Sequence, residues 1–177
     1  MRDEIFFTVT DPVFFTGLNN NIKKSLRQGV ELSARSRWNK VLDGFFNYSY
    51  TKATFETDVL LFSGLAKKGD ELPLVPRHHA SAGVNWHPID GLTVSLAGNY
   101  VGKQFLLNDE PNHTKRLADY FVLNARLAYR WQNWTAHLTV NNLTDRQYST
   151  FGALGASQFS FVPAAGINAF GGISYRY

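Results

Sequence analysis

A chain of 177 residues with no cysteine, a net charge of +4 and only 18% charged residues excludes several classes at once. The missing thiols rule out a disulfide scaffold, a CxxC redox site and a cysteine-ligated metal. No Lys/Arg block or base-stacking motif accompanies the mild positive charge, so nucleic acid is not an expected partner. Aromatic residues reach 15%, yet no apolar run approaches the roughly 18 residues of a membrane-spanning helix. The opening "MRDEIFFTVT" lacks the order of a signal peptide.

In chain order the sequence reads as strands. After "EIFFTVT", the segment "VELSARSRW" puts Val30, Leu32, Ala34 and Trp38 on one face, with Glu31, Ser33, Arg35 and Arg37 on the other. "GFFNYSYT" opposes Phe46, Tyr48 and Tyr50 to Asn47, Ser49 and Thr51. "HHASAGVNW" and "LTVSLAGNY" alternate in the same way around a short turn, "HPIDG". "YFVLNARLAYRW" sets Phe121, Leu123, Ala125, Leu127 and Tyr129 against Asn124, Arg126, Ala128 and Arg130. "WTAHLTVN" follows, with His137 on its polar side, and the chain closes on "GINAFGGISYRY". That makes eight strands, with no convincing helical period anywhere.

The connections alternate in length. "NKVLD", "HPIDG" and "RWQN" are tight turns, whereas roughly 56–76, 106–118 and 143–165 are long; a shorter connection near residues 15–21 belongs to the same side. Tight turns at one end and long loops at the other describe an antiparallel up-and-down transmembrane β-barrel, apolar outside and polar inside. Trp38, Trp86, Tyr100, Tyr129, Trp131 and Trp134 gather at strand ends as an interfacial girdle does. Lys52 falls in the outward register, near the long-loop end of its strand. A soluble antiparallel sandwich or barrel also alternates and stays open as a reading.

Four stretches carry a resemblance. "VNNLTDRQYSTFG" presents Asn142, Leu143, Thr144, Asp145 and Tyr148 as an Asn-Leu-x-Asp-x-x-Tyr segment before the last strand. "KSLRQGVELSA" holds Arg27, Gly29, Val30 and Glu31. "PLVPRHHASAGVNWHPIDGLTVSLAGNYVG" and "LADYFVLNARLAYRW" complete the set. Together, in this order and spacing, they resemble the end of TonB-dependent outer-membrane receptors, and the likeness runs along almost the whole chain.

The resemblance implies residues 1–177 as about eight strands from the C-terminal part of a barrel of about 22 strands with a plugged lumen. The N-terminal plug and TonB-binding segment would be missing from this chain. It implies a Gram-negative outer-membrane location, surrounding lipid, energy delivered through TonB, and a cargo such as a ferric siderophore or similar iron chelate. Ile173, Tyr175 and Tyr177, in the final aromatic-ended strand, would be read by the barrel-assembly machinery. A complete eight-stranded outer-membrane barrel with a structural or adhesive role is the alternative. Against it, Arg35, Arg37, Lys103, Arg126, Arg130 and Arg176 would share a narrow interior with Glu31 as the clear acidic partner.

Nothing argues for an enzyme, a cofactor or a metal. The five histidines have no HExxH or similar spacing, and His78 and His79 face opposite sides of one strand. Asp109 and Glu110 sit in a loop, where solvated charge is commoner than catalysis. Ligand contacts are expected on the long loops: Phe105, Asn108, Asp109, Asn112 and His113 on one, and Gln147, Tyr148, Phe151, Gln158, Phe159 and Phe161 on or beside another. Glu31, Arg35, Lys103, Arg126, Arg130 and His137 are expected to face the lumen or the plug.

Overall fold

The computed structural model describes residues 2–11, 16–61, 63–155 and 158–177. Twelve strands run β1 (Arg2–Asp11), β2 (Thr16–Arg37), β3 (Leu42–Phe55), β4 (Val59–Leu61), β5 (Gly64–Ala66), β6 (His78–Trp86), β7 (Leu92–Val101), β8 (Tyr120–Trp131), β9 (Trp134–Asn141), β10 (Ser149–Leu154), β11 (Phe159–Pro163) and β12 (Asn168–Tyr175). Eight of them form one antiparallel sheet in the order β1-β2-β3-β6-β7-β8-β9-β12, a plain meander. No helix occurs among the described residues.

Register makes the two faces continuous. Val30 pairs with Tyr50 and Leu32 with Tyr48; Tyr48 pairs in turn with Ala80, and Phe46 with Ala82. Val84 meets Leu96, Val94 meets Leu127, Leu127 meets Leu138, and Ile173 meets Ala136. One face is therefore apolar across seven strands. It is also bare: Val84, Leu96, Phe121, Leu127, Leu138 and Ile173 are between 40% and 73% exposed. On the other face the side chains bond one another across strands. Ser33 Oγ donates to Asn47 Oδ1 at 2.7 Å and Asn47 Nδ2 to Ser81 Oγ at 3.1 Å. An apolar face open to its surroundings, backed by a hydrogen-bonded polar one, is the pattern of a barrel wall in lipid.

Ring-over-glycine contacts recur between neighbouring strands of the large sheet. A methyl group on Gly98 would strike the Phe121 ring, one on Gly83 the Phe45 ring, and one on Gly172 the His137 imidazole. Each glycine leaves room for the ring beside it.

The two ends of the sheet differ. At the turn end, β8 and β9 are joined by Gln132 and Asn133, with Gln132 at φ 51°. Gly91 takes φ 81° with its α-carbon against the Arg130 carbonyl, so any side chain would be both strained and blocked. At the loop end the expected count of eight strands needs correction. β4 pairs with β5 and β10 with β11, so two of the loops fold into hairpins of their own. The short connection expected near residues 15–21 is also corrected. From Thr16 onward it is strand, continuous with β2 and paired with β1, while residue 15 lies outside the described residues. A polar stretch, "TGLNNNIKK", gave no alternation to reveal it.

Candidate functional site

The loop end is where the buried core lies. Ile22, Ala53, Phe55, Leu61, Ala66 and Leu72 form one closed cluster, and Leu107 with Ala153 a second. The loops 56–77, 102–119 and 142–167 also share backbone bonds. Leu74 N donates to Phe105 O (2.9 Å), Leu107 N to Gly152 O (2.9 Å) and Leu154 N to Leu107 O (2.8 Å). They make a single body over the sheet.

Polar hubs hold it together. Asn112, at φ 59°, accepts from Glu71 N at 2.6 Å and donates back to Glu71 O at 2.9 Å. Asp109 accepts from His113 N, Thr114 N and Thr114 Oγ1, ordering the next five residues. Asn108 is buried and donates to Leu154 O at 3.0 Å. Arg77 grips Glu71 with two bonds, of 2.7 and 2.6 Å, and that carboxylate holds the Arg77 pKa above its ordinary value. Arg116 reaches the same carboxylate at 3.3 Å while its guanidinium lies 4.4 Å from the centroid of the Phe105 ring. Glu110 is fully buried. Ser63 Oγ donates to its Oε2, and its Oε1 has no partner among the described residues. Burial is the main reason its pKa is raised.

The Asn142 segment has an evident structural task. Asn142 sits at φ 51°, donates to Arg146 O and Ala165 O, and accepts from Arg146 N, all between 2.9 and 3.2 Å. Asp145 Oδ1 accepts from Ile167 N at 2.8 Å. These two side chains tie the start of the 142–167 loop to its end, aiming the chain into β12. Tyr148 completes the segment by lying on Tyr120, with ring centroids 4.2 Å apart. In the second motif, a side chain at Gly29 would run into the Tyr50 carbonyl, which explains the glycine between Arg27 and Glu31.

Of the expected ligand residues, Phe105, Asn108, Asp109 and Asn112 are engaged in holding the loops, and His113 is exposed. Phe151 packs on the Leu107–Ala153 cluster. Tyr148 and Phe159 line a cavity of about 410 Å³ between residues 115–119, 146–149 and β11. Phe161, Leu106 and Leu117 supply the rest of its apolar wall, and Lys115, Arg116 and Arg146 its cations. The cations were not singled out from the sequence. Lys115 and Arg146 lie far apart along the chain, and only the fold brings them to one cavity.

On the polar face, Glu31 pairs with Ser49 and Arg35 with Phe45. Arg126 pairs with Thr139, to whose hydroxyl it donates at 3.3 Å. Arg130 pairs with Thr135 and His137 with Gly172. Lys103 lies beyond the end of β7, exposed. A wider cleft of about 1030 Å³ opens at the turn end beside Lys40, His87, Arg130 and Arg176. Ile173 and Tyr175 lie on β12 opposite Ala136 and Trp134, and Tyr177 meets Tyr175 edge-on.

A bare apolar face, a bonded polar face and loops massed at one end define a length of transmembrane barrel wall. A family model described as TonB dependent receptor-like, beta-barrel, matches residues 1–143, and the chain belongs to that family. The pesticin receptor of Yersinia pestis is 29% identical over 143 residues, which are 78% of this chain and 20% of the receptor. The ferrioxamine receptor of Yersinia enterocolitica is 28% identical over 68% of this chain and 17% of its own length. The crystal structure of the ferric yersiniabactin uptake receptor FyuA from Yersinia pestis superposes with a TM-score of 0.72 at 28% identity, over 88% of this chain and 24% of the receptor. The copper transporter OprC, at 16% identity and a TM-score of 0.74, shares the fold. The chain thus spans about a fifth of the length of the curated relatives it matches.

Proposed function

We propose that residues 1–177 are the C-terminal wall of an outer-membrane receptor that imports a scarce nutrient, such as a ferric siderophore, with energy supplied through TonB. The observation that carries this reading is the sheet order, which begins at β1 and ends at β12 with no pairing between them among the described residues. A closed eight-stranded barrel requires that pairing, whereas a wall that continues into further strands does not. The names of two relatives, a ferrioxamine receptor and a ferric yersiniabactin uptake receptor, support the cargo class. In this reading the loops stand on the cell surface and contact the ligand, while Glu31, Arg35, Arg126, Arg130 and His137 face a plug or water. Lipid covers the apolar face of the sheet. Ile173, Tyr175 and Tyr177 serve as the signal for barrel assembly.

The test is uptake of radioactive iron by Gram-negative cells carrying the intact outer-membrane protein that contains these residues. Ferric catecholate, ferrioxamine B and ferric citrate would be offered separately, with and without TonB. Accumulation of at least one chelate that disappears with TonB is the expected result. Iron counts indistinguishable from receptor-free cells for all three would overturn the reading.

A further inference from the structure

The cavity walled by Tyr148, Phe159 and Phe161 has a chemistry narrower than that of a general chelate site. Phe159 and Phe161 stand stacked, 6.3 Å between centroids and 19° from parallel, with about half of each side chain exposed. Tyr148 is braced by Tyr120 beneath it. Leu106 and Leu117 are buried behind them, so the wall is preformed. Three cations and one carboxylate, Asp119, border this apolar wall, and Asp119 accepts a bond from the Tyr100 hydroxyl at 3.2 Å. Arg116 is already offset by Glu71. Lys115 and Arg146 take part in no ion pair among the described residues.

We infer that this cavity receives an anionic aryl group of the cargo, a catecholate or phenolate arm of a metal chelate. The inference rests on the receptor reading above and narrows its substrate class. An aryl anion stacks on Phe159, Phe161 and Tyr148 and brings negative charge to Lys115 and Arg146. An aliphatic hydroxamate chelate, neutral or cationic, leaves the cations unanswered. Citrate answers the cations but offers the rings nothing. A volume of about 410 Å³ is ample for such an aryl arm.

The experiment uses the intact receptor in detergent, titrated with ferric tris-catecholate, ferrioxamine B and ferric citrate and followed by tryptophan quenching. Ferric tris-catecholate is expected to bind at least about tenfold tighter than the other two. The pair Lys115→Glu and Arg146→Glu should weaken it by about tenfold or more. Phe159→Leu with Phe161→Leu, which keeps the apolar volume, should weaken it several-fold through lost stacking. Unchanged heat-modifiable mobility on gels reports that each variant is folded. If ferrioxamine B or ferric citrate binds best, or if both variant pairs leave catecholate affinity unchanged, the inference fails while the receptor reading stands. If no chelate binds at all, both fail.

Discussion

The turn end and the loop end of this sheet are held by different forces. At the turn end Asp43 accepts from Asn85 Nδ2 at 2.8 Å and lies 2.8 Å from His87 Nε2, while Ser95 Oγ donates to Asn85 at 2.7 Å. This is a surface of polar bonds, with no closed hydrophobic cluster near it among the described residues. At the loop end, Phe55, Ile22, Leu72 and Leu106 are wholly or almost wholly out of solvent. Water gives apolar burial its strength and lipid gives none, because hydrocarbon solvates leucine as well as another leucine does. The loop end therefore folds like a small soluble protein set on top of a membrane one. Between the ends, the strands are held by the backbone bonds of the sheet.

The largest expected effect falls inside the loop body. Phe55→Ala should destabilise the intact barrel in detergent by about 3–5 kcal/mol. Leu96→Ala, on the bare apolar face, leaves no cavity and should cost less, about 1–2 kcal/mol of lost transfer energy. Denaturant unfolding of both variants decides it, and equal losses would erase the distinction between the ends. Next comes Asn142→Ala, which strips buried partners from Arg146 and Ala165 and leaves a positive φ to alanine, for a loss of about 1–3 kcal/mol. Hydrogen exchange should show it as early opening of the 142–167 loop and β12, with the turn end still protected.

The smallest effect sharpens the comparison through pH. Burial raises the Glu110 pKa, so the folded loops hold that proton to higher pH than the unfolded chain does. The contribution of Glu110 to their stability is greatest below the ordinary glutamate range and declines as pH rises through the raised one. Limited proteolysis in progressively more alkaline buffer should cut the loops faster, and Glu110→Gln should flatten that dependence. A wild-type cleavage rate that falls with pH would contradict the assignment.

The eight long strands were legible because a period of two runs through most of their length, from Val30 and Leu32 to Tyr175, with the first half of β2 the exception. The facing of each side chain was legible too, since alternation puts every second residue on the same side. Two kinds of feature were not. β4–β5 and β10–β11 are short hairpins in which small, apolar and polar residues mix without period, and they exist because neighbouring loops cover them. The cavity cations are the second kind. Lys115 and Arg146 are 31 positions apart in the numbering and meet only because Asn142 and Asp145 fold the chain back. The Asn142 segment was recognisable from its spacing, but its task of tying the start of the loop to Ala165 and Ile167 is visible only in three dimensions.

The glycines beneath Phe121, Phe45 and His137 have a consequence for how the strands find one another. Alternation forbids a slip of one residue, because every side chain would change sides. It is blind to a slip of two, which returns greasy to greasy and wet to wet. A ring that needs a vacant seat is not blind to it. Shifted by two, Phe45 would lie opposite Ser81 or Asn85 in place of Gly83. The hydrophobic pattern thus works as a coarse scale, and the ring-and-glycine pairs act as a vernier that reads the remaining step.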